Sequence, residues 1–227
     1  MSIGVLLSGC GVYDGSEIHE SVCALLALEE SNLGYICIAP NIKQHHVLNH
    51  TNGSEIDESR NVLLESARIA RGEITSLDNF NYDDIDAIVI PGGFGAAKNL
   101  STWAFDGVDS KVDKDVELII RHCFENKKPI VGLCISPTVI AKSLQSLDVT
   151  LQLTVGSIHE DSEYNIKEIQ ESISSLGVKT INSSIHDVCV DEKNKIITAP
   201  CYMMKASPLE VYRNTKQAIS ALNTMLN

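Results

Sequence analysis

Short runs of apolar residues constrain the fold of this chain more than any other feature. Four of them are Ile3–Leu7, Tyr35–Pro40, Asp86–Ile90 and Ile130–Leu133, and amphipathic helical patterns lie between them. A strand that is apolar throughout is buried on both faces, as in a parallel sheet covered by helices. The sequence therefore predicts an α/β fold with a doubly wound, mostly parallel sheet and helices on both faces.

Length and charge limit the domain organisation and the partners. The 227 residues are enough for one domain, 1–227, with its own core, and no linker or repeat divides them. A formal net charge of −12 would repel nucleic acid and anionic membranes. We therefore expect a small-molecule substrate, with no nucleic acid and no membrane as partner.

The cysteines indicate a reducing compartment. The chain has seven, an odd number without a CxxC pair, which favours reduced thiols over a disulfide framework. The N-terminal apolar run is short and lacks a basic start, so it is predicted to be a strand and not a signal peptide. We therefore expect a cytoplasmic protein.

Three local patterns set further expectations. A helix from about Gly15 should have an inner face made of Ile18, Val22, Leu25, Leu26 and Leu28. Asp14 and Glu17 have capping-box spacing at its start. Residues 41–56 are predicted to form an inserted hairpin around Asn52-Gly53. Its histidines are expected to be solvated, because no ligand spacing accompanies them, so no metal is predicted.

The segment PIVGLCISP offers a candidate nucleophile. An apolar run ends at Cys134, and a helix is predicted immediately afterwards, from Ser136 and Pro137. A sharp strand-to-helix turn pushes its junction side chain outward, and the positive end of a helix lowers a thiol's pKa. The alternative is a small buried core residue, as most free cysteines are.

Other small residues also follow predicted strands. Gly92-Gly93, in the segment PGGFGAAKNL, provides either a tight turn or bare amides for an oxyanion, and Asn99 follows on a short helix. Cys10 and Cys201 lie past two further strand ends. All of these positions should converge at one edge of the sheet.

Several segments together carry a family resemblance. The first-turn Glu17, the PGGFG turn and the GLC elbow resemble the class I glutamine amidotransferase-like superfamily and its PfpI/ThiJ-like branch, which has a flavodoxin-like fold. SGCGVYDGSEIHE, RNVLLESARIARGEI and IPGGFGAAKNLS look like isoprenoid biosynthesis (enhancing lycopene biosynthesis) proteins with an amidotransferase-like domain.

The resemblance implies roles for individual residues. Cys134 would be the nucleophile, Glu17 its carboxyl partner, and the amides of Gly93 and Ile135 the oxyanion donors. Glu20, one turn on, takes the place of Glu17 if the helix begins later. The resemblance also implies a homodimer.

The chain departs from the family where a histidine is expected. Ile135 follows the cysteine directly, and the late strand end, TAPCYM, has no histidine, which leaves His159 or His186 as downstream candidates. Amidotransferase and protease activity are therefore not expected.

A cysteine and a carboxyl group can still convert a small aldehyde through a hemithioacetal. The expectation is a glutathione-independent, cofactor-free glyoxalase III-type lyase that acts on methylglyoxal or glyoxal. The alternative is a redox-sensing or accessory protein linked to isoprenoid biosynthesis, in which Cys10 or Cys201 could resolve an oxidised Cys134.

Overall fold

The computed structural model describes residues 1–147 and 149–227. Its main element is a seven-stranded sheet in the order β3-β2-β1-β4-β5-β9-β8, in which only β8 runs antiparallel, against β9. A separate two-stranded parallel sheet pairs β6 with β7. The strands are β1 (Ser2–Leu6), β2 (Gly34–Ala39), β3 (Ile74–Ser76), β4 (Ala87–Ile90), β5 (Ile130–Leu133), β6 (Gln152–Leu153), β7 (Lys179–Thr180), β8 (Cys189–Asp191) and β9 (Ile196–Ala199).

Two apolar clusters of buried side chains contain residues from both the strands and the surrounding helices. The predicted doubly wound, mostly parallel fold is therefore confirmed. The helices are α1 (Ile18–Glu30), α2 (Val62–Ile69), α3 (Phe94–Lys98), α4 (Trp103–Asp106), α5 (Lys114–Glu125), α6 (Pro137–Leu144), α7 (Ile166–Ser175) and α8 (Pro208–Leu226).

Helix α1 differs from its prediction in start and in orientation. It begins at Ile18 and not at Gly15, because the Glu17 side chain caps it by accepting from the Glu20 amide. The predicted inner face was wrong at three positions, since Ile18, Val22 and Leu26 are exposed, whereas Leu28 is buried as predicted. The buried face carries small residues such as Ala24, which lets α1 pack closely against α8.

The segment of residues 41–56 is less regular than predicted. Residues 41–56 form isolated bridges, Lys43 to Asn61 and Leu48 to Glu55, and not a two-stranded hairpin. The helix that follows begins only at Val62, because the Asn61 side chain accepts from the Leu64 amide and caps it there. Local hydrogen bonds of the polar side chains fix these boundaries.

The parallel strands place their carboxyl ends along one edge of the sheet. The residues after β4 and β5, Gly92-Gly93 and Cys134, meet there beside the start of α1. This is the edge where open α/β sheets bind ligands. Among the described residues, no helix is long and apolar enough to cross a membrane.

Candidate active site

Cys134 occupies a strained turn between β5 and α6. Its φ of 58° lies in the left-handed region that side chains other than glycine rarely adopt. Its amide donates to the carbonyl of Ala199 at 2.9 Å, and Ser136 Oγ donates to the carbonyl of Ile90 at 2.8 Å. These bonds to the two neighbouring strands hold the turn, so the thiol points into the crevice at the sheet edge.

The two glycines after β4 form the wall opposite the sulfur. A Cβ built on Gly92 would lie 2.9 Å from Cys134 Sγ and 2.8 Å from Glu20 Oε2, so no side chain fits there. Gly93 has a φ of 88°, and its amide lowers the pKa of the Cys134 thiol, which favours the ionised sulfur. The Gly92 amide, in contrast, is already bonded to Glu20.

Glu20 is the carboxyl group in contact with Cys134. Its side chain is fully buried, and a Cβ built on Gly92 would lie 2.8 Å from its Oε2 and 2.9 Å from Cys134 Sγ, so the carboxyl group and the thiol are neighbours. Oε2 accepts from the Gly92 amide at 2.9 Å and Oε1 from the Tyr202 amide at 3.2 Å. Burial, and then the charge of Glu17, raise the pKa of Glu20 to about 8.

Glu17 lies one turn earlier and has a different set of contacts. Its Oε2 accepts from the Glu20 amide at 2.7 Å, and its own amide donates to the carbonyl of Gly92 at 2.9 Å. Burial raises its pKa, and its side chain lines the cavity beside the sulfur. Because α1 begins at Ile18, Glu17 is the helix cap and Glu20 takes the position against Cys134.

Burial dominates the electrostatics of the thiol. It raises the pKa of Cys134 well above its usual value, the Glu20 carboxyl raises it further, and the Gly93 amide acts in the opposite direction. The expected lowering of this pKa by the helix is therefore outweighed. Cys134 and Glu20 form a coupled pair that retains its protons at neutral pH.

A cavity of about 410 Å³ opens above this pair. Cys134, Gly93 and Glu17 are among the residues that line it, together with Ile135 from the elbow. The remaining lining comes from four regions of the chain, namely the loop after β1 at Val12, the α3–α4 region, α7 with the residues just before it, and the turn after β9. The sulfur is therefore accessible from the cavity although Cys134 is only 5% exposed.

Two of the predicted site residues, Asn99 and His159, lie outside the cavity lining. Asn99 is buried and holds loops together: its Nδ2 donates to the carbonyls of Ser8 and Asp14, and its Oδ1 accepts from the His45 amide. His159 is exposed, and its amide bonds with Ser157 Oγ. Neither side chain lines the cavity.

The two other cysteines predicted at this edge of the sheet also lie outside the cavity lining. Cys10 is half-buried, and burial together with Glu65 raises its pKa. Cys201 is completely buried with a φ of 45°, its amide donates to Asn214 Oδ1, and its Sγ lies 3.6 Å from Thr215 Oγ1. Both thiols are therefore shielded from a ligand in the cavity.

Tyr202 is a site residue that the sequence reasoning missed. Besides donating its amide to Glu20, it lines the cavity, and its hydroxyl lies 2.7 Å from His19 Nδ1. The sequence could have indicated this residue, because Tyr202 lies in TAPCYM, the late strand end where the family resemblance leads one to expect a histidine. Trp103, Tyr164 and Met203, also in the lining, follow no pattern that the sequence analysis used.

The chain is similar to curated proteins over most of its length, although no model of a known protein family matches it. It is 44% identical over 207 residues to glutamine amidotransferase-like class 1 domain-containing protein 3, mitochondrial, of Homo sapiens, covering 90% of this chain and 76% of that protein. It is 31% identical over 207 residues to the ES1 protein, mitochondrial, of Danio rerio, covering 89% and 77%.

Solved structures agree with this relationship. The crystal structure of the isoprenoid biosynthesis protein with amidotransferase-like domain from Ehrlichia chaffeensis is 32% identical, with a TM-score of 0.90 and full coverage of both chains. Drosophila melanogaster DJ-1beta shares the fold, with a TM-score of 0.54 at 16% identity over 99% of this chain and 92% of that one.

These comparisons correct one expectation and confirm another. The cytoplasmic location expected from the sequence is contradicted, because three curated relatives are named mitochondrial. The resemblance inferred from the sequence segments is confirmed by sequence and by structure. The chain belongs to the glutamine amidotransferase-like class 1 domain family, together with the ES1 proteins and the isoprenoid biosynthesis protein with an amidotransferase-like domain.

Proposed function

We propose that this protein is a cofactor-free enzyme that converts 1,2-dicarbonyl aldehydes to 2-hydroxy acids, as a glutathione-independent glyoxalase does. One observation carries the proposal: the Cys134 thiol and the buried Glu20 carboxyl lie side by side against Gly92, at the floor of a cavity. No histidine is among the described residues that line this cavity. The available chemistry is therefore addition by a thiol and proton transfer by a carboxyl group.

The reaction balances with these two groups and one water. The Cys134 sulfur adds to the aldehyde carbon, and the thiol proton passes to the aldehyde oxygen to give a hemithioacetal. Glu20, which is partly ionised near its pKa of about 8, then removes the proton from that carbon and returns it to the adjacent former ketone carbon. The hydroxyl proton on the first carbon moves to the former ketone oxygen, which leaves a thioester. Water cleaves the thioester, releases the hydroxy acid and restores the thiol.

The site geometry supports the charge changes in this sequence. The Gly93 amide faces the sulfur, and the Ile135 side of the elbow lines the same space, so developing negative charge lies beside backbone donors. A pKa of about 8 at Glu20 is near the operating pH, where a group can both accept and return a proton. Glu17, which also faces the cavity, is the alternative proton-transfer group.

Parallel variants test these assignments. Methylglyoxal, glyoxal and glutamine are incubated with wild type, Cys134→Ser, Glu20→Gln and Glu17→Gln, and hydroxy acid and ammonia are measured. We expect hydroxy acid and no ammonia from wild type, a large loss of hydroxy acid in Cys134→Ser and Glu20→Gln, and a smaller loss in Glu17→Gln. Glu29→Gln, an exposed position on the same helix, is the matched control.

Two outcomes would redirect the proposal. Wild-type turnover in Cys134→Ser would refute the hemithioacetal mechanism. Absence of turnover, with a stable gain of oxygen at Cys134 after mild peroxide, would favour the redox-sensing alternative. The homodimer stays a prediction, which sedimentation of the same preparations tests.

A further inference from the structure

The walls of the cavity are mostly apolar and aromatic. Its upper part is formed by Trp103, Phe105, Phe94, Ile169 and Met203, none of which the proposed chemistry uses. Phe105 is 45% exposed although it is aromatic, which places it at the mouth. Such a lining binds an apolar group, because contact with it removes both surfaces from water.

The cavity is larger than a three-carbon aldehyde requires. A volume of about 410 Å³ lies in the range of roughly 300–1,000 Å³ found for pockets that bind drug-sized ligands. The reacting carbonyl must reach Cys134 at the floor. The space above it then remains for a substituent about the size of an aromatic ring.

The two charged side chains in the described cavity lining are both acidic. Glu17 lies near the floor and Glu168 on α7 near the solvent, and none of the described lining residues is lysine or arginine. Lys98 is used outside the lining, where its Nζ donates to the carbonyl of Tyr13 and lies 5.1 Å from the centre of the Phe94 ring. A carboxylate or phosphate on a ligand would therefore meet acidic groups without a cationic partner.

We propose that the cavity selects uncharged carbonyl compounds with an apolar substituent about the size of a ring, and excludes those that carry a carboxylate or a phosphate. This inference rests on the proposed function for the reacting group and adds the substrate class. It places glutamine, whose α-carboxylate is always ionised, outside that class.

The test measures access to Cys134 without requiring turnover. The whole protein is treated with iodoacetamide, iodoacetate or N-benzyl iodoacetamide. In each reaction the Cys134 sulfur displaces iodide, and the thiol proton leaves to the buffer. Labelling of the Cys134 peptide is followed by mass spectrometry, with Cys134→Ala as blank, and each rate is divided by that of N-acetylcysteine amide with the same reagent.

We expect the normalised rate to fall at least about tenfold from iodoacetamide to iodoacetate, and to rise severalfold for the benzyl reagent. Equal normalised rates for the three reagents would overturn the proposal. Absence of labelling by all three would also overturn it, because the cavity would then give no access to the sulfur.

Matched variants assign the selectivity to the cavity. Glu168→Lys should raise the relative iodoacetate rate severalfold, whereas Glu171→Lys, the same charge change on α7 outside the lining, should not. Phe105→Ala should reduce the benzyl preference, whereas Leu118→Ala, equally exposed at 45% on α5, should not. Equal effects in a variant and its control would contradict the assignment.

Turnover separates this inference from the proposed function. Phenylglyoxal should be a better substrate than methylglyoxal, and 4-carboxyphenylglyoxal, the same dicarbonyl aldehyde with a carboxylate on its ring, should not react. If labelling is selective and no hydroxy acid forms, the proposed function fails and the cavity assignment stands. If 4-carboxyphenylglyoxal reacts as fast as phenylglyoxal, the cavity assignment fails and the proposed function stands.

Discussion

Replacing Glu20 by glutamine should change how the stability of the fold depends on pH. The pKa of this buried carboxyl is about 8 in the folded protein, against an ordinary value of 4.5. Because the pKa of Glu20 is higher in the folded than in the unfolded protein, the protonated carboxyl group favours the folded state. Its contribution to the free energy of unfolding is complete below about pH 4.5 and is lost as the pH rises through about 8. At about 1.4 kcal/mol per pH unit, wild type should lose about 4 kcal/mol between pH 5 and pH 8 through this group.

The glutamine variant does not lose unfolding free energy as this position ionises, but it is destabilised by a constant amount at every pH. Both carboxyl oxygens accept backbone amides, from Gly92 and from Tyr202. The side-chain amide must turn its NH₂ group toward one of these donors, which costs about 1–3 kcal/mol at every pH. Glu20→Gln should therefore be less stable than wild type at pH 5 and more stable near pH 8.

Urea unfolding at a series of pH values from 5 to 8.5 measures this difference. The free energies of unfolding of wild type and Glu20→Gln should cross within that range, and Glu29→Gln is the exposed control on the same helix. Parallel curves, offset by a constant amount, would show that Glu20 does not stay protonated in the folded state. The coupled pair would then be refuted.

Three further predictions follow from the same contacts. Gly92→Ala should lower stability by about 1–3 kcal/mol and sharply reduce labelling of Cys134, because its Cβ would lie 2.9 Å from the sulfur; thermal unfolding and labelling rates measure the two effects. Asn99→Ala should cost about 2–4 kcal/mol in urea unfolding with little change in the labelling of Cys134 by iodoacetamide, since its amide satisfies three backbone groups. The labelling rate of Cys134 by iodoacetamide should rise through about pH 8, and that inflection should be absent in Glu20→Gln.

The sequence was sufficient for the sheet and for the elbow. Runs that are apolar throughout have few alternatives to buried parallel strands, and β5 and α6 lie where PIVGLCISP predicts them. Helix α8 likewise begins where the sequence has Ser207 and Glu210 three residues apart, and these two residues form a complete capping box at its start.

The identity of the carboxyl group next to the sulfur depended on a boundary that the sequence left open. Asp14 and Glu17 have capping-box spacing, but the Asp14 carboxylate accepts from the Leu48 amide in the 41–56 segment. Glu17 then caps the helix itself, and Glu20 turns toward Cys134. The long-range hydrogen bond between Asp14 and Leu48 therefore determines which carboxyl group faces Cys134, and the local spacing of the acidic residues does not predict that bond.

The cavity walls were also beyond sequence reasoning. Trp103, Tyr164 and Tyr202 come from three separated segments, and only the tertiary fold brings them together. Their spacing follows no helical or strand period. The apolar character of the site therefore emerged only from the structure.

The central claim is that the Cys134 sulfur carries out the chemistry of this site, and product formation tests it most directly. The quantity to measure is the 2-hydroxy acid formed from methylglyoxal and from phenylglyoxal by wild type and by Cys134→Ala at pH 8. The account predicts product from wild type, more from phenylglyoxal, and none above the uncatalysed rate from the variant. Equal product from the two proteins would contradict it.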